Sequence, residues 1–279
     1  MSPGPRPERV LEVFQSALRP ARARGPVVMV APTDDLASER AVETAAEVAH
    51  LLHGEVLGVG RGASAEHEEL IDALTEDAAC RFEAALRNAR TDGRWRTASE
   101  SPLAAMQASA HEADLIVTSR TDESPFGRRF GGIKHLVCTA GRPVLITGGD
   151  RAVRFDHALL CWNDSAQARR AAVDALPLLR RVKRTLVLLV CQDGGAAQVA
   201  QRAREVERGF RERGVNARAV VRAFGDGDLA EIVRGVAQEE DADLVVAGAY
   251  GRDPIWRTLT GSHTEALLTA LDRPLFLSR

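Results

Sequence analysis

The chain has 279 residues, 45% hydrophobic and 27% charged, with a formal net charge of −2. This composition is typical of a folded globular protein and excludes disordered and fibrous architectures. The balanced charge gives no field that would attract a polyanion, so neither nucleic acid nor a membrane surface is predicted as a partner. The length predicts two domains of ordinary size.

Cysteine spacing and the lack of long apolar runs indicate the cellular compartment. Cys80, Cys138, Cys161 and Cys191 form no CxxC pair, which argues against a zinc cage or a secreted disulfide framework, and we expect them to be reduced core residues. The chain begins without the apolar segment of a signal peptide, and the run around Leu186–Cys191 is too short to span a bilayer. The sequence therefore predicts a cytoplasmic protein.

Residues 1–24 are predicted to be an N-terminal extension, and residues 25–150 a first α/β domain. In this domain, short apolar runs alternate with segments that carry apolar residues at helical spacing. Strands are predicted at Val27–Ala31, Glu55–Val59, Arg94–Ala98, Asp114–Thr118 and Pro143–Ile146, with helices between them that include Ala37–Leu52 and Glu66–Arg90.

Residues 151–279 repeat the same order of signals and are predicted to be a second domain. Strands are predicted at His157–Trp162, Thr185–Val190, Asn216–Val221, Asp243–Ala247 and Arg273–Leu277. A capping box of Asp228 and Glu231 begins the third helix. Strands that alternate with helices imply right-handed crossovers. The predicted fold is α/β, with two tandem five-stranded, mostly parallel sheets and helices on both faces.

A candidate ligand site follows the fourth strand of the second domain. Gly248 and Gly251 come directly after this strand, and Gly261 and Ser262 begin the last helix. Ligands of open parallel sheets bind beyond the carboxyl ends of the strands, and a helix N-terminus favours phosphate. The spacing therefore indicates a phosphate cradle. The same residues also fit an ordinary turn followed by a capping box of Ser262 with Glu265.

The spacing G-2x-G-9x-G-S at this position resembles the nucleotide-binding motif of the universal stress protein family. Asp243-Leu-Val-Val-Ala-Gly, Gly225-Asp226 and Arg273-Pro274 are similar to flanking segments of that family. The resemblance extends over both halves, as in a tandem universal stress protein. It implies a Rossmann-like fold of that type and, as ligand, ATP or another adenine nucleotide, with or without Mg²⁺.

The resemblance also implies which residues bind the nucleotide. Asn163 stands at the position of the family's strand-one aspartate, and backbone groups near Val190 would contact the base. Independently of the resemblance, Arg252 and Arg257 lie in the nine-residue stretch, where their charges fit either phosphate neutralisation or a solvated surface. The full set of expected nucleotide-binding residues is Asn163, Val190, Gly248, Tyr250, Gly251, Arg252, Gly261 and Ser262.

The first half departs from this motif. Ser119 and Asp122 take the places of the two glycines, Gly132 and Ile133 take the places of Gly-Ser, and Pro32 stands where the strand-one aspartate belongs. A carboxylate beside phosphate and the loss of a hydroxyl both oppose binding. We predict that the first repeat does not bind nucleotide.

No mainstream enzyme motif is present. The sequence contains no GxxxxGK[ST], HExxH, GxSxG or GxGxxG pattern, and its seven histidines suggest no metal cluster. No catalytic residue and no metal ligand are therefore predicted. A slow ATPase activity is the most that the sequence supports, because no residue stands out as a general base.

Two functions fit the sequence. The first is a stress-response regulatory protein that binds an adenine nucleotide in the second repeat, with the first repeat structural. The alternative is a nucleotide-free protein-interaction scaffold of the same fold. In either case, the resemblance implies that Pro143–Ile146 pairs with Pro274–Leu277 within the chain, which satisfies two sheet edges. A homodimer or a regulatory protein partner is compatible with both functions.

Overall fold

The computed structural model describes residues 25–31, 36–61, 68–98, 102–120, 131–148, 154–192, 196–224, 228–250 and 262–279. The first half contains β1 (Val27–Val30), α1 (Leu36–Leu52), β2 (Glu55–Arg61), α2 (Glu68–Ala89), β3 (Asp92–Ala98), α3 (Pro102–Ser109), β4 (Leu115–Ser119), α4 (Gly131–Thr139) and β5 (Val144–Thr147). The second half contains β6 (His157–Trp162), α5 (Ala166–Leu179), β7 (Arg184–Gln192), α6 (Ala196–Glu212), β8 (Ala217–Phe224), α7 (Leu229–Glu239), β9 (Leu244–Gly248), α8 (Ser262–Ala270) and β10 (Leu275–Ser278).

The ten strands form one sheet in the order β3-β2-β1-β4-β5-β10-β9-β6-β7-β8. The strands within each half are parallel and follow the same order, which confirms the predicted α/β fold class. At the centre, β10 runs antiparallel to β5, with Leu275 opposite Ile146 and Leu277 opposite Val144. The predicted pairing of the last strands is therefore confirmed, and it joins the two half-sheets into a single sheet.

Helices cover both faces of the sheet. Buried residues of α1, α2, α5 and α6 form one core cluster with one set of strand side chains, and those of α3, α4, α7 and α8 form a second cluster with the other set. Neighbouring strand residues alternate between the clusters, so that Leu160 lies in the first and Leu159 in the second. This double burial explains why the inner strands are continuous apolar runs.

Several strands are longer than their apolar runs predict. β7 begins at Arg184 and ends at Gln192, and β8 continues to Phe224. The ladder depends on backbone hydrogen bonds, which polar residues make as well as apolar ones, so hydrophobic patterning misses the polar ends. One expectation about burial is wrong: Cys80 is exposed on α2 and does not belong to the core.

None of the helices in the described ranges combines the length and the apolar character that crossing a bilayer requires.

The pairing of β5 with β10, which we call the central seam, should contribute strongly to the free energy of unfolding. Phe276 of β10 is 1% exposed and belongs to the first core cluster. Replacement of Phe276 by Ala leaves a cavity at the junction of the two halves, and we expect the free energy of unfolding to fall by about 3–5 kcal/mol. Urea denaturation followed by circular dichroism measures this loss.

Val173→Ala is the matched control, because Val173 is 52% exposed. We expect its free energy of unfolding to stay within about 0.5 kcal/mol of the parent value. Equal losses for the two variants would contradict a core that is continuous across the seam.

Candidate functional site

Strand β6 ends short of its two neighbours. Its ladder to β9 stops at Leu160 opposite Val246, whereas β7 runs on to Gln192 and β9 to Gly248. We call the resulting gap beyond the end of β6 the notch. The helices that follow β6 and β9 pack on opposite faces of the sheet, so the notch is the topological switch point at which open α/β sheets bind ligands.

Asn163 follows β6 at the notch, and its side chain is partly used within the chain. Its Oδ1 accepts hydrogen bonds from the Ser165 backbone N–H at 3.2 Å and from Ser165 Oγ at 2.7 Å. Ser165 in turn caps α5, where its Oγ accepts from the Ala168 N–H. Among the described residues, Asn163 Nδ2 has no partner, so the donor half of this amide remains available to a ligand.

An ion pair beside the notch was not anticipated from the sequence. Asp164, with a φ of 58°, accepts two hydrogen bonds of 2.7 Å from Nε and Nη2 of Arg202, and a third from Arg169. The hydrogen bond from Arg202 is the main reason that the pKa of Asp164 lies below its usual value. This bidentate contact ties the start of α5 to α6 across a separation of 38 residues, which no local pattern reveals.

Gly248 is required by packing. A Cβ on this residue would lie 2.5 Å from the carbonyl carbon of Gln167 and 2.6 Å from the Ala168 nitrogen. The absence of a side chain therefore lets the end of β9 rest on the first turn of α5. The sequence predicted that Gly248 admits a ligand, whereas the observed close approach is to a helix that borders the notch.

Tyr250 connects the two halves. Its backbone N–H donates to Thr264 Oγ1 at 3.3 Å, which fixes the start of the following loop to α8. Its ring lies 5.5 Å from Lys134 Nζ of α4, and within the described ranges its buried hydroxyl has no hydrogen-bond partner. Burial is the main cause that raises the pKa of this phenol above its usual value. The side chain of Tyr250 therefore packs against the first half.

The remaining expected site residues fall into two groups. Val190 lies on β7 past the last β6 pairing, and Ser262 is the first residue of α8. Gly251, Arg252 and Gly261, like Pro32 and Asp122 of the first half, lie outside the described residues. Within the described part of the chain, no cluster of three His, Cys, Asp or Glu side chains could hold a metal ion.

The last helices of the two halves correct one predicted correspondence. α4 and α8 have the same length and end at the same distance before the prolines that precede the last strands. When the two helices are aligned, Gly131 corresponds to Ser262 and Ile133 to Thr264. The predicted match of Gly132 to Gly261 and of Ile133 to Ser262 is therefore wrong by two positions. Ile133 is buried and carries no hydroxyl, so the first half cannot form the bond that Tyr250 makes to Thr264.

These features define an open, doubly wound α/β protein whose second half has a topological switch point beyond the end of β6. Residues 154–279 match the model of the universal stress protein family. The structure of a universal stress protein from Archaeoglobus fulgidus DSM 4304 is similar, with a TM-score of 0.72 and 15% identity over 92% of this chain and 97% of that one. A functionally unknown protein from Pseudomonas aeruginosa PAO1 is similar with a TM-score of 0.62 and 17% identity, over 91% and 92% of the two chains. No curated protein sequence matched.

The packing role of Gly248 is testable by adding one methyl group. Because the new Cβ of Gly248→Ala must displace the backbone of α5, we expect the free energy of unfolding to fall by about 1–3 kcal/mol. Gly209→Ala in α6 is the control, since its Cβ meets nothing within 4 Å and Ala favours a helix by up to about 1 kcal/mol. Chemical denaturation of both variants provides the comparison. A neutral Gly248→Ala would contradict the close contact.

The Asp164–Arg202 pair predicts a pH dependence. The folded-state pKa of Asp164 is lowered, so the pair stabilises the protein above the unfolded pKa, near 4, and this stabilisation is lost as the pH falls through the folded pKa. Both side chains are partly exposed, so we expect about 1 kcal/mol or less. The difference in unfolding free energy between the parent and Arg202→Gln should persist from pH 7 to 5 and shrink below pH 4. A difference that grows on acidification would refute the assignment.

Proposed function

We propose that the second half binds an adenine nucleotide, ATP or a close relative, at the notch, and that the protein acts as a stress-response regulator in which the first half is structural. The observation that carries this proposal is the notch itself. It combines an available amide donor at Asn163, strand backbone beyond Leu189 and a helix N-terminus at Ser262 at one switch point.

The adenine side of the site is formed by β7. Its ladder to β6 stops at Leu189, so the backbone groups of Val190–Gln192 that face β6 have no strand partner there. Backbone N–H and C=O groups must find hydrogen-bond partners, and the donors and acceptors on the edge of a purine match them in kind. The resemblance to universal stress proteins supports a base-binding role for this part of β7.

The phosphate side of the site is the segment between β9 and α8. The bond from Tyr250 to Thr264 holds the beginning of this segment against the first turn of α8. The free amides at the start of that nine-residue helix, together with the helix dipole, favour a phosphate group. Gly251, Gly261 and Arg252 belong to this side of the proposed site by their sequence positions.

The chemistry around the notch favours binding over catalysis. Asp164 follows Asn163 in the chain, but two arginines already engage its carboxylate and its pKa is lowered, so it is a poor general base. Tyr250 instead offers a route for regulation, because the same residue contacts both α8 and Lys134 of the first half. Hydrolysis would at most be slow.

One observation favours the alternative of a nucleotide-free scaffold. The acceptor oxygen of Asn163 is already occupied by Ser165, and an amide replaces the carboxylate implied by the family. The scaffold would act through protein contacts, as a homodimer or with a regulatory partner in the cytoplasm.

Retained nucleotide distinguishes the two functions. We expect the gently purified and then denatured protein to release stoichiometric adenine nucleotide, identified by mass spectrometry. Gly251→Asp, which copies Asp122 of the first half, should lower nucleotide affinity by at least about tenfold, because it places a carboxylate beside the phosphates.

Asp122→Gly in the first half is the matched control and should leave the affinity unchanged. If the parent protein releases no nucleotide and added ATP gives no thermal shift, the scaffold function replaces the proposed one.

A further inference from the structure

A second pocket lies between the two halves, beyond the carboxyl end of β10. It has a volume of about 240 Å³, and its lining includes Cys138, Arg142, Arg170, Asp174, Ser278 and Arg279. None of the described notch residues lines it. We propose that this interhalf pocket binds phosphate, either as the inorganic ion or as the phosphate group of a small metabolite.

Arg142 supplies a positive charge that no acidic side chain among the described residues neutralises. Its Nε donates to the Ala110 carbonyl oxygen at 3.1 Å, and its Nη2 donates to the His111 carbonyl oxygen at 3.5 Å. These neutral acceptors hold the guanidinium in place without cancelling its charge. Its Nη1 is left without a partner among the described residues and can donate to an anion.

Arg170 is held in a similar way. Its Nε donates to both carboxylate oxygens of Asp174, at 3.2 and 3.0 Å, whereas its two Nη atoms have no partner among the described residues. Asp174 also accepts a hydrogen bond of 2.6 Å from Ser278 Oγ. Among the described residues that line the pocket, Asp174 has the only acidic side chain, and Arg170 offsets its charge. Arg279 also lines the pocket, so the side chains of these residues carry a net positive charge.

The size and the number of cations favour a phosphate group. A volume of about 240 Å³ corresponds to roughly eight water molecules and lies below the range of about 300–1,000 Å³ that is usual for drug-sized ligands. One guanidinium is sufficient to bind a carboxylate through two parallel hydrogen bonds. A pocket with several guanidinium groups therefore suits an anion with more oxygens, such as phosphate.

Isothermal titration with inorganic phosphate, at an ionic strength held constant with chloride, tests this proposal. We expect one saturable site per chain. Arg170→Glu, which replaces a guanidinium with a carboxylate, should weaken phosphate binding by at least tenfold, and Arg142→Gln by at least fivefold. Arg87→Glu is the control, because Arg87 lies exposed on α2 and should leave binding unchanged. Arg170→Gln removes the charge without adding a carboxylate. Its thermal unfolding, measured without ligand, shows whether a loss of phosphate binding reflects a loss of folding.

Two further titrations identify the ligand and separate this site from the notch. Tighter binding of glycerol phosphate than of inorganic phosphate assigns the pocket to a phosphorylated metabolite, and the reverse assigns it to the free ion. Phosphate binding should survive in Gly251→Asp, whatever the fate of nucleotide binding in that variant. Three outcomes would overturn the proposal. The first is equal phosphate affinity in the parent, Arg170→Glu and Arg170→Gln. The others are loss of phosphate binding in Gly251→Asp and acetate binding that is as tight as phosphate binding.

Discussion

The antiparallel pairing of β5 with β10 is the constraint on which the rest of the structure depends. It makes one sheet of ten strands from two parallel half-sheets and buries both strands completely. Because the strands within each half are parallel, this pairing directs the carboxyl ends of the two half-sheets to opposite edges. It also brings α4 beside Tyr250 and places Arg142 in the same pocket as Arg170. Both the contact between the halves and the interhalf pocket therefore result from one strand pair.

The shared topology does not give the two halves the same chemistry. Where the second half has Thr264, whose hydroxyl accepts from Tyr250, the first half has buried Ile133. This change removes a hydroxyl from the position that holds the phosphate side of the proposed nucleotide site. We therefore propose one nucleotide site and one phosphate pocket at the carboxyl end of the second half-sheet, and a structural role for the first half.

The sequence predicts the parts of this architecture that depend on local patterns. Apolar runs such as Thr185–Val190 identify buried strands because both faces of the sheet are covered, and the repeated order of signals predicts that both halves have the same α/β architecture. The polar ends of β7 and β8 are missed, since backbone hydrogen bonds and not side-chain polarity determine them. Glycine spacing locates the notch, but it does not reveal that Gly248 is required for contact with α5.

The features that the sequence does not predict join residues that are distant in the chain. Asp164 and Arg202 are 38 residues apart, and Lys134 contacts Tyr250 from the other half. The contact of Asn163 with Ser165 is local, yet Asp164 between them has a φ of 58°, a left-handed conformation that a non-glycine residue rarely adopts. Such contacts are determined by the way that helices pack on the sheet, which hydrophobic periodicity alone leaves open.

Hydrogen–deuterium exchange with and without ATP tests the central claim most directly, because it reports on each half of the same molecule. The account predicts that ATP slows exchange in peptides that cover residues 161–168, 188–192, 246–251 and 261–266, at the ends of β6, β7 and β9 and the start of α8. Exchange in the first-half peptides 28–36 and 117–133 should remain unchanged. Protection confined to the first half, or equal protection in both halves, would contradict a single nucleotide site at the notch.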